Sequence, residues 1–187
     1  MRWLVLYARS RQVPVSAAAV LAAALMVWFL ARGASTDPRL PVLALTGAVT
    51  AGSIGLGGQD AALDCAAAIR WLPRRAAHVL FIGAGAAFTV LVARGLGADV
   101  GTAAFVVRDS AGLTGLAAAG AVLCGAQHAW TLPVGWLTLA LFPSTLPKGA
   151  NEVLTWMLQP DTAIASWTAL TLAVAGTVAY AVVGPRR

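Results

Sequence analysis

Charged side chains are scarce in this chain of 187 residues. Only 11% of the residues are charged, whereas 59% are hydrophobic and the mean hydropathy is +0.79. A soluble domain carries about 25% charged residues to cover its surface. The shortage excludes an appended water-soluble domain, such as a kinase or nucleotidase, and predicts an integral membrane protein. Because a spanning helix needs roughly 20 apolar residues, the length allows six crossings and little else.

Lysine is almost absent, since Lys148 is the only lysine among 13 basic residues. An ATPase of the common kind cradles phosphate in a loop of the pattern Gly-x-x-x-x-Gly-Lys-Ser/Thr. Lys148 stands between Pro147 and Gly149 with no glycine loop before it. The chain therefore cannot hydrolyse ATP by that route, and ATP hydrolysis would have to reside in a partner.

The basic residues lie at the ends of apolar runs, whereas a nucleic-acid-binding protein gathers them on one hydrophilic face. Their distribution excludes nucleic acid as a partner and instead indicates membrane topology. Cysteine is also scarce, with only Cys65 and Cys124. Both are predicted on the cytoplasmic side, where thiols stay reduced, so a structural disulfide is not expected.

The apolar runs predict one all-α transmembrane domain over residues 1–187. Its six spans have the approximate bounds 15–31, 40–57, 76–93, 110–130, 131–146 and 161–184. The fifth span contains Pro133 and Pro143, which free backbone groups that neighbouring helices must satisfy. Residues 1–14 alternate arginine with aromatic and aliphatic residues and predict an interfacial helix. The run 15–31 is long for a signal peptide and further spans follow, so we interpret it as an uncleaved helix.

The arginines also predict the orientation of the chain. With the N-terminus in the cytoplasm, the inner segments hold eight basic residues and the outer segments hold five. This bias is the one expected of a multi-pass protein of the cell (inner) membrane. Both termini are then cytoplasmic.

The segment between spans two and three has the pattern of a short cytoplasmic helix. Asp60 and Asp64 stand at its start, Arg70 stands near its end, and Pro73 is predicted to stop it. Acids first and a base last is the order that the helix dipole favours. Asp60 and Asp64 are four residues apart, so they share a helix face, and Trp71 is predicted on the same side. This helix is our candidate contact for a cytoplasmic partner.

The outer stretch 142–161 predicts a second short amphipathic helix. Asn151 or Gly149 could cap it, and Pro160 would end it. Its apolar face would hold Val153, Leu154, Trp156, Met157 and Leu158. An apolar helix outside the membrane must lie on the bilayer, dip into it, or pack on the spans.

This layout resembles the membrane (permease) subunit of type-2 ABC transporters, in particular small, poorly characterised permeases. The likeness consists of six spans, an amphipathic N-terminal segment, the 60–72 helix and the outer stretch, together with residues 108–116 at span four. In that family the helix between spans two and three docks on the ATPase subunit, and the outer stretch forms short re-entrant helices. The resemblance implies that Asp60, Asp64, Arg70 and Trp71 contact an ATPase. The chain is shorter than is usual in the family.

Arg108 and Asp109 allow two interpretations. If span four begins near Thr102, they form an intramembrane ion pair, and charges within a span are functional by default. If it begins at Ser110, they form an ordinary outer helix cap, because Asp and Ser suit a helix start. We favour the cap and keep the ion pair as the alternative.

The sequence gives only partial support for a magnesium site, a catalytic dyad or a zinc site. Asp60 and Asp64 have the spacing of magnesium-binding acid pairs, but such sites need further carboxylates on the same side of the membrane. Ser110 and His128 would be roughly 27 Å apart along one helix, too far for a catalytic dyad. The nitrogen and sulfur side chains near the inner face match no zinc-ligand spacing, and they are Cys65, His78, Cys124 and His128. We predict no catalytic residue, no metal and no cofactor.

The sequence thus predicts a non-enzymatic permease subunit of an ATP-driven exporter. Its partners would be an ABC ATPase, a second permease subunit that is identical or homologous, and membrane lipid. Another kind of small membrane protein, such as an assembly factor or a small-solute channel, is the alternative. A lipid-modifying membrane enzyme is a third possibility. Spans without a row of charges favour an amphipathic or lipid-like cargo.

Overall fold

The structure is a computed structural model that describes residues 37–56, 71–142 and 145–186. All regular secondary structure in these ranges is helical. The predicted interfacial helix 1–14 and the predicted first span 15–31 lie outside the described residues. So do Asp60, Asp64 and Arg70 of the predicted cytoplasmic helix.

The described chain forms α-helices joined by short 3-10 turns. The helices are α1 (Arg39–Ser53), α2 (Trp71–Gly95), α3 (Ala103–Leu123), α4 (Thr131–Leu141), α5 (Lys148–Leu154) and α6 (Ala163–Val183). The 3-10 turns are Ile54–Leu56, Ala126–His128 and Trp156–Leu158.

Within the described residues, four helical stretches are long and apolar enough to cross a membrane. They are Arg39–Leu56, Leu72–Gly95, Ala103–Leu123 and Ala163–Val183. Each has at least 18 residues, close to the roughly 20 that match the hydrocarbon thickness of a bilayer. The prediction of an all-helical membrane protein agrees with this architecture, while six complete crossings are not observed in the described ranges.

α2 begins before Pro73 rather than after it. Trp71 is its first residue and Pro73 lies in its first turn, where a missing N–H costs no helical hydrogen bond. The prediction that Pro73 ends the preceding helix is therefore wrong, and the predicted span 76–93 is extended to Trp71–Gly95. At the far end, Gly97 has a φ of 91° and turns the chain towards α3.

α3 begins seven residues before the predicted start at Ser110. Thr102 Oγ1 accepts a hydrogen bond from the backbone N–H of Phe105 at 3.1 Å, which caps the helix before Ala103. The capping signal that we assigned to Asp109 and Ser110 therefore belongs to Thr102. α3 also ends early, at Leu123, and Gly125 with a φ of 96° starts the turn that leads into α4.

α4 corresponds to the predicted fifth span but has only 11 residues. At about 1.5 Å per residue it is roughly 16 Å long, about half of the hydrocarbon thickness. Pro133 lies in its first turn, and helix geometry ends at Leu141, shortly before Pro143. α4 is therefore too short to be a complete membrane-spanning helix.

α3 lies at the centre of the bundle and packs against α1, α2, α4 and α6. Its closest neighbour is α6, because two glycines let the backbones meet. A β-carbon at Gly176 would overlap the carbonyl oxygen of Gly115, and one at Gly115 would overlap that of Leu172. Small residues at an interface let helices approach closely where lipid provides no hydrophobic drive.

The helix termini form two ends of the bundle, which we name by their charges. At the basic end, Tyr180 Oη donates to Leu56 O at 2.9 Å, and the backbone N–H of Arg186 donates to Ala121 O at 3.0 Å. At the acidic end, Thr102 Oγ1 donates to Asp161 Oδ2 at 3.1 Å. The acids of the described ranges all lie at the acidic end, and they are Asp37, Asp99, Asp109, Glu152 and Asp161. The described bases of the basic end are Arg74, Arg75 and Arg186.

Candidate functional site: a buried ion pair under the outer segment

The candidate site is centred on Arg108 and Asp109 in the second turn of α3. Because the helix begins at Ala103, both residues lie inside it, and the cap interpretation is wrong. Arg108 Nε donates to Asp109 Oδ1 at 2.8 Å, and the side chains are 8% and 0% exposed. Two charges that are removed from water need compensating partners, or their desolvation outweighs their attraction.

Arg108 obtains those partners from the chain that precedes α6. Nη1 donates to Pro160 O at 3.0 Å and reaches Asp161 Oδ1 at 3.4 Å. Nη2 donates to Gln159 O at 2.9 Å and to Trp156 O at 3.4 Å. A guanidinium presents five N–H donors in a fixed plane, and here they face three backbone carbonyls and two carboxylates. The side chain therefore joins α3 to a segment about 50 residues later.

The ring of Phe105 lies below the same guanidinium. The Arg108 Cζ atom is 5.1 Å from the ring centroid, within the range of a cation–π contact. Phe105 and Arg108 are three residues apart in α3, so they share a helix face. The helix register thus sets this contact, whereas the hydrogen bonds require the tertiary fold.

Asp109 is the most unusual residue of the site because it is fully buried. Its Oδ1 accepts from Arg108, while its Oδ2 has no hydrogen-bond partner within the described residues. An unpaired buried oxygen costs about 1–3 kcal/mol. Asp109 thus depends on Arg108 to be tolerated at this depth.

Residues 148–161, which we call the outer segment, fold back onto the helices. It consists of α5, the turn Trp156–Leu158 and the approach to α6. Trp156 and Met157 are fully buried, whereas Val153 of the predicted apolar face is exposed. Of the three placements left open for this stretch, packing on the helices is the one that the burial of Trp156 and Met157 favours for its second half. The residue before α5 is Pro147, so Gly149 and Asn151 are not its caps.

Trp156 fixes the depth of the outer segment. Its indole lies against Gly112 of α3, where any β-carbon would overlap the ring. Two residues before Trp156, the carbonyl oxygen of Leu154 accepts a hydrogen bond from Trp136 Nε1 of α4 at 2.9 Å. Gln159 Nε2 donates to Glu152 O at 2.8 Å and closes the segment on itself. The outer segment is therefore bound to both α3 and α4.

A cleft of about 350 Å³ opens beside this network at the acidic end. Its polar lining includes Asp37, Asp99, Thr102, Gln159 and Asp161, and its apolar lining includes Phe105, Leu158 and three prolines. Two of its carboxylates have local partners. Asp37 Oδ1 accepts from the N–H of Arg39 at 2.9 Å, and Asp161 contacts Arg108 and Thr102.

The predicted ATPase contact is not brought together in the described residues. Asp60, Asp64 and Arg70 lie outside them, and Trp71 is seen as the first residue of α2. That contact stays a prediction. Among the described histidines, cysteines and acids, no group of three or more could hold a metal ion.

Sequence reasoning missed the partners of Arg108. A buried ion pair of Arg108 and Asp109 was one of the two interpretations of the sequence. Nothing in the sequence indicated that Gln159, Pro160 and Asp161 would surround it. Those residues are 51–53 positions away, and no local periodicity encodes such a contact. Gly112 was visible only as part of residues 108–116, and nothing in the sequence indicated that Trp156 would lie against it.

Comparison of the chain with protein-family models, with curated proteins and with solved structures finds no match.

Proposed function

We propose that the chain is the permease subunit of an ATP-driven transporter, as its resemblance to type-2 ABC permeases implies. The observation that supports this proposal best is the outer segment, which packs into the helices and is held there by Arg108. A short outer segment of this kind before the last span is part of that resemblance. A second permease subunit would complete the pathway.

The basic end is the cytoplasmic end in this proposal. Arg74, Arg75 and Arg186 lie there, and basic residues are enriched in cytoplasmic segments. The stretch 60–72 that leads into α2 then faces the cytoplasm, where Asp60, Asp64, Arg70 and Trp71 would contact the ATPase. Closure of the ATPase pair would push on the start of α2 and shift it against α3, which is a rigid-body transition. Cargo would be amphipathic or lipid-like.

Affinity purification of the tagged chain from its native membrane tests the proposal. We expect it to bring down a protein with the phosphate-binding loop Gly-x-x-x-x-Gly-Lys-Ser/Thr and with ATPase activity. Asp60→Arg with Asp64→Arg should abolish this association, because both reversals fall on the proposed contact. The matched control is Asp99→Arg with Glu152→Arg, two reversals at the acidic end that should leave the association intact.

Failure takes two forms. If the wild-type chain recovers no ATPase from its native membrane, the permease assignment is wrong, and a non-enzymatic protein of another kind becomes the better interpretation. If an ATPase is recovered equally with the Asp60 and Asp64 variant, the transporter assignment stands but the contact lies elsewhere.

A further inference from the structure

The acids of the described chain all lie at one end of the bundle, whereas its bases occur at both ends. The basic end carries Arg74, Arg75 and Arg186, and no acid of the described ranges lies there. The acidic end holds four bases against five acids in the same ranges. Asp60 and Asp64, which precede α2, lie outside the described residues. The basic end is therefore a cationic surface in the part of the bundle that the structure describes.

Arg75 and Arg186 are distant in the sequence but lie at neighbouring helix ends. Arg75 in the first turn of α2 lies against Gly184, where a β-carbon would come within 2.6 Å of Arg75 Nη1. Gly184 has a φ of 78°, a conformation that favours glycine. The tail beyond it is tied to α3, because Arg186 N donates to Ala121 O at 3.0 Å and Arg186 Nη1 donates to Leu123 O at 3.4 Å.

Helix dipoles explain only part of this arrangement. Arg75 stands at the C-terminus of α6 and Arg186 at that of α3, where cations are favoured. Most N–H groups of these three guanidinium side chains nevertheless make no hydrogen bond within the described ranges. For Arg74 and Arg75, the structure shows neither a hydrogen bond of the guanidinium group nor an acid partner there. Arg186 uses one side-chain donor, and a guanidinium has five. These donors suit the oxygens of a phosphate group.

The surface beside the arginines is apolar. Leu72, Leu80 and Phe81 of α2 are exposed, as are Val182 and Val183 at the end of α6. Both helices are among those long and apolar enough to cross a membrane. A molecule that bound here would thus meet cations at the helix termini and hydrocarbon along the helices. That combination fits a phospholipid better than a soluble phosphate compound.

We propose that Arg74, Arg75 and Arg186 form a binding site for the phosphate headgroup of an anionic phospholipid, whose acyl chains lie along α2 and α6. The site orders lipid at the place where the start of α2, the end of α3 and the C-terminal tail meet. Its existence does not depend on the transport function, because it needs only that these helices span a bilayer.

Native mass spectrometry of the purified full chain tests the site. Protein is released from mixed micelles that contain equal amounts of phosphatidylglycerol and phosphatidylcholine. We expect preferential retention of phosphatidylglycerol. In Arg75→Gln with Arg186→Gln the preference should fall roughly fivefold for each arginine removed, since a basic residue near the surface contributes about 1 kcal/mol. Arg39→Gln with Arg94→Gln, at the acidic end, is the matched control and should keep the preference.

Three results would overturn the proposal. The first is equal retention of both lipids by the wild-type chain, as would follow if Asp60 and Asp64 neutralised the arginines. The second is the same loss in the control variant. The third is stabilisation by millimolar inorganic phosphate without any preference between the lipids, which would assign the site to a free anion. If the double variant elutes as aggregate, Arg74→Gln replaces it, because the Arg74 side chain is exposed.

Discussion

At the scale of single residues, glycine decides how closely the central helices pack. The sequence is crowded with small residues, but the described glycines are not equivalent, because some of them have no neighbour within 4 Å of a β-carbon position. Gly85 and Gly135, for example, have open space where a β-carbon would be. Gly115 and Gly176 differ because each faces the backbone of the other helix. Composition alone could not separate these two groups.

We expect Gly176→Ala to lower the apparent melting temperature of the detergent-solubilised protein by several degrees. The added methyl would meet the Gly115 carbonyl and force α3 and α6 apart, and overpacking of this kind costs about 1–3 kcal/mol. The matched change Gly85→Ala should be neutral or slightly stabilising, because alanine is the better helix former. Fluorescence-detected size-exclusion after heating measures both, and equal melting temperatures would contradict the α3–α6 contact.

At the scale of elements, the outer segment is the part of the fold most dependent on one side chain. Arg108 binds three of its carbonyls, while Trp156 fills the space above Gly112. The rest of the segment contributes few buried side chains, since α5 contains none. Loss of Arg108 should therefore loosen the segment before it affects the long helices.

Cysteine labelling measures this dependence. In a background with Cys65→Ser and Cys124→Ser, Met157→Cys introduces a thiol at a fully buried position, which should react slowly with a hydrophilic maleimide. Adding Arg108→Gln with Asp109→Asn removes the ion pair without leaving an unpaired buried charge. We expect at least tenfold faster labelling.

Arg94→Gln is the control for that experiment, because it removes an arginine of the acidic end for which the structure shows no ion pair among the described residues. In this control, labelling of the thiol introduced by Met157→Cys should stay slow. An unchanged rate in the Arg108 and Asp109 variant would mean that Trp156 and its neighbours hold the outer segment without the arginine.

At the scale of the whole molecule, the chain between α3 and α6 must pass from the basic end to the acidic end. α3 ends and α6 begins at opposite ends, and α4 is too short to be a spanning helix by itself. α4 and the buried part of the outer segment together fill this path. The apolar run 131–146 predicted a span at this place, but the helix that forms there is too short to be recognised as one by its length.

Side-specific labelling in intact cells tests this arrangement. Cys124 is exposed at the basic end, so after Cys65→Ser it should react only with permeant maleimide if that end is cytoplasmic. With both native cysteines replaced by serine, Gly149→Cys should react with impermeant reagent from outside. Reaction of both positions from the same side would contradict a crossing between α3 and α6.

Much of the fold follows from the sequence. Four of the six predicted spans coincide with long helices of the described residues, because only uninterrupted apolar stretches can lie in hydrocarbon. The fifth is a helix of only 11 residues, and the first lies outside the described residues. The largest errors fell where polar residues mark helix boundaries. Thr102, rather than Asp109 and Ser110, caps α3, and both sites offer a suitable oxygen. Local sequence does not distinguish them.

By itself, the sequence determined that this is an all-helical membrane protein whose charged residues lie at the ends of its apolar runs. Burial cost dictates both features, since apolar runs leave water and charges remain at the ends. Only the tertiary structure decided that Arg108 and Asp109 are buried beneath the outer segment, that Trp156 lies on Gly112, and that Gly115 and Gly176 bring two backbones together. These are contacts between residues 44–61 positions apart, and the energy of such contacts depends on three-dimensional proximity that no local pattern contains.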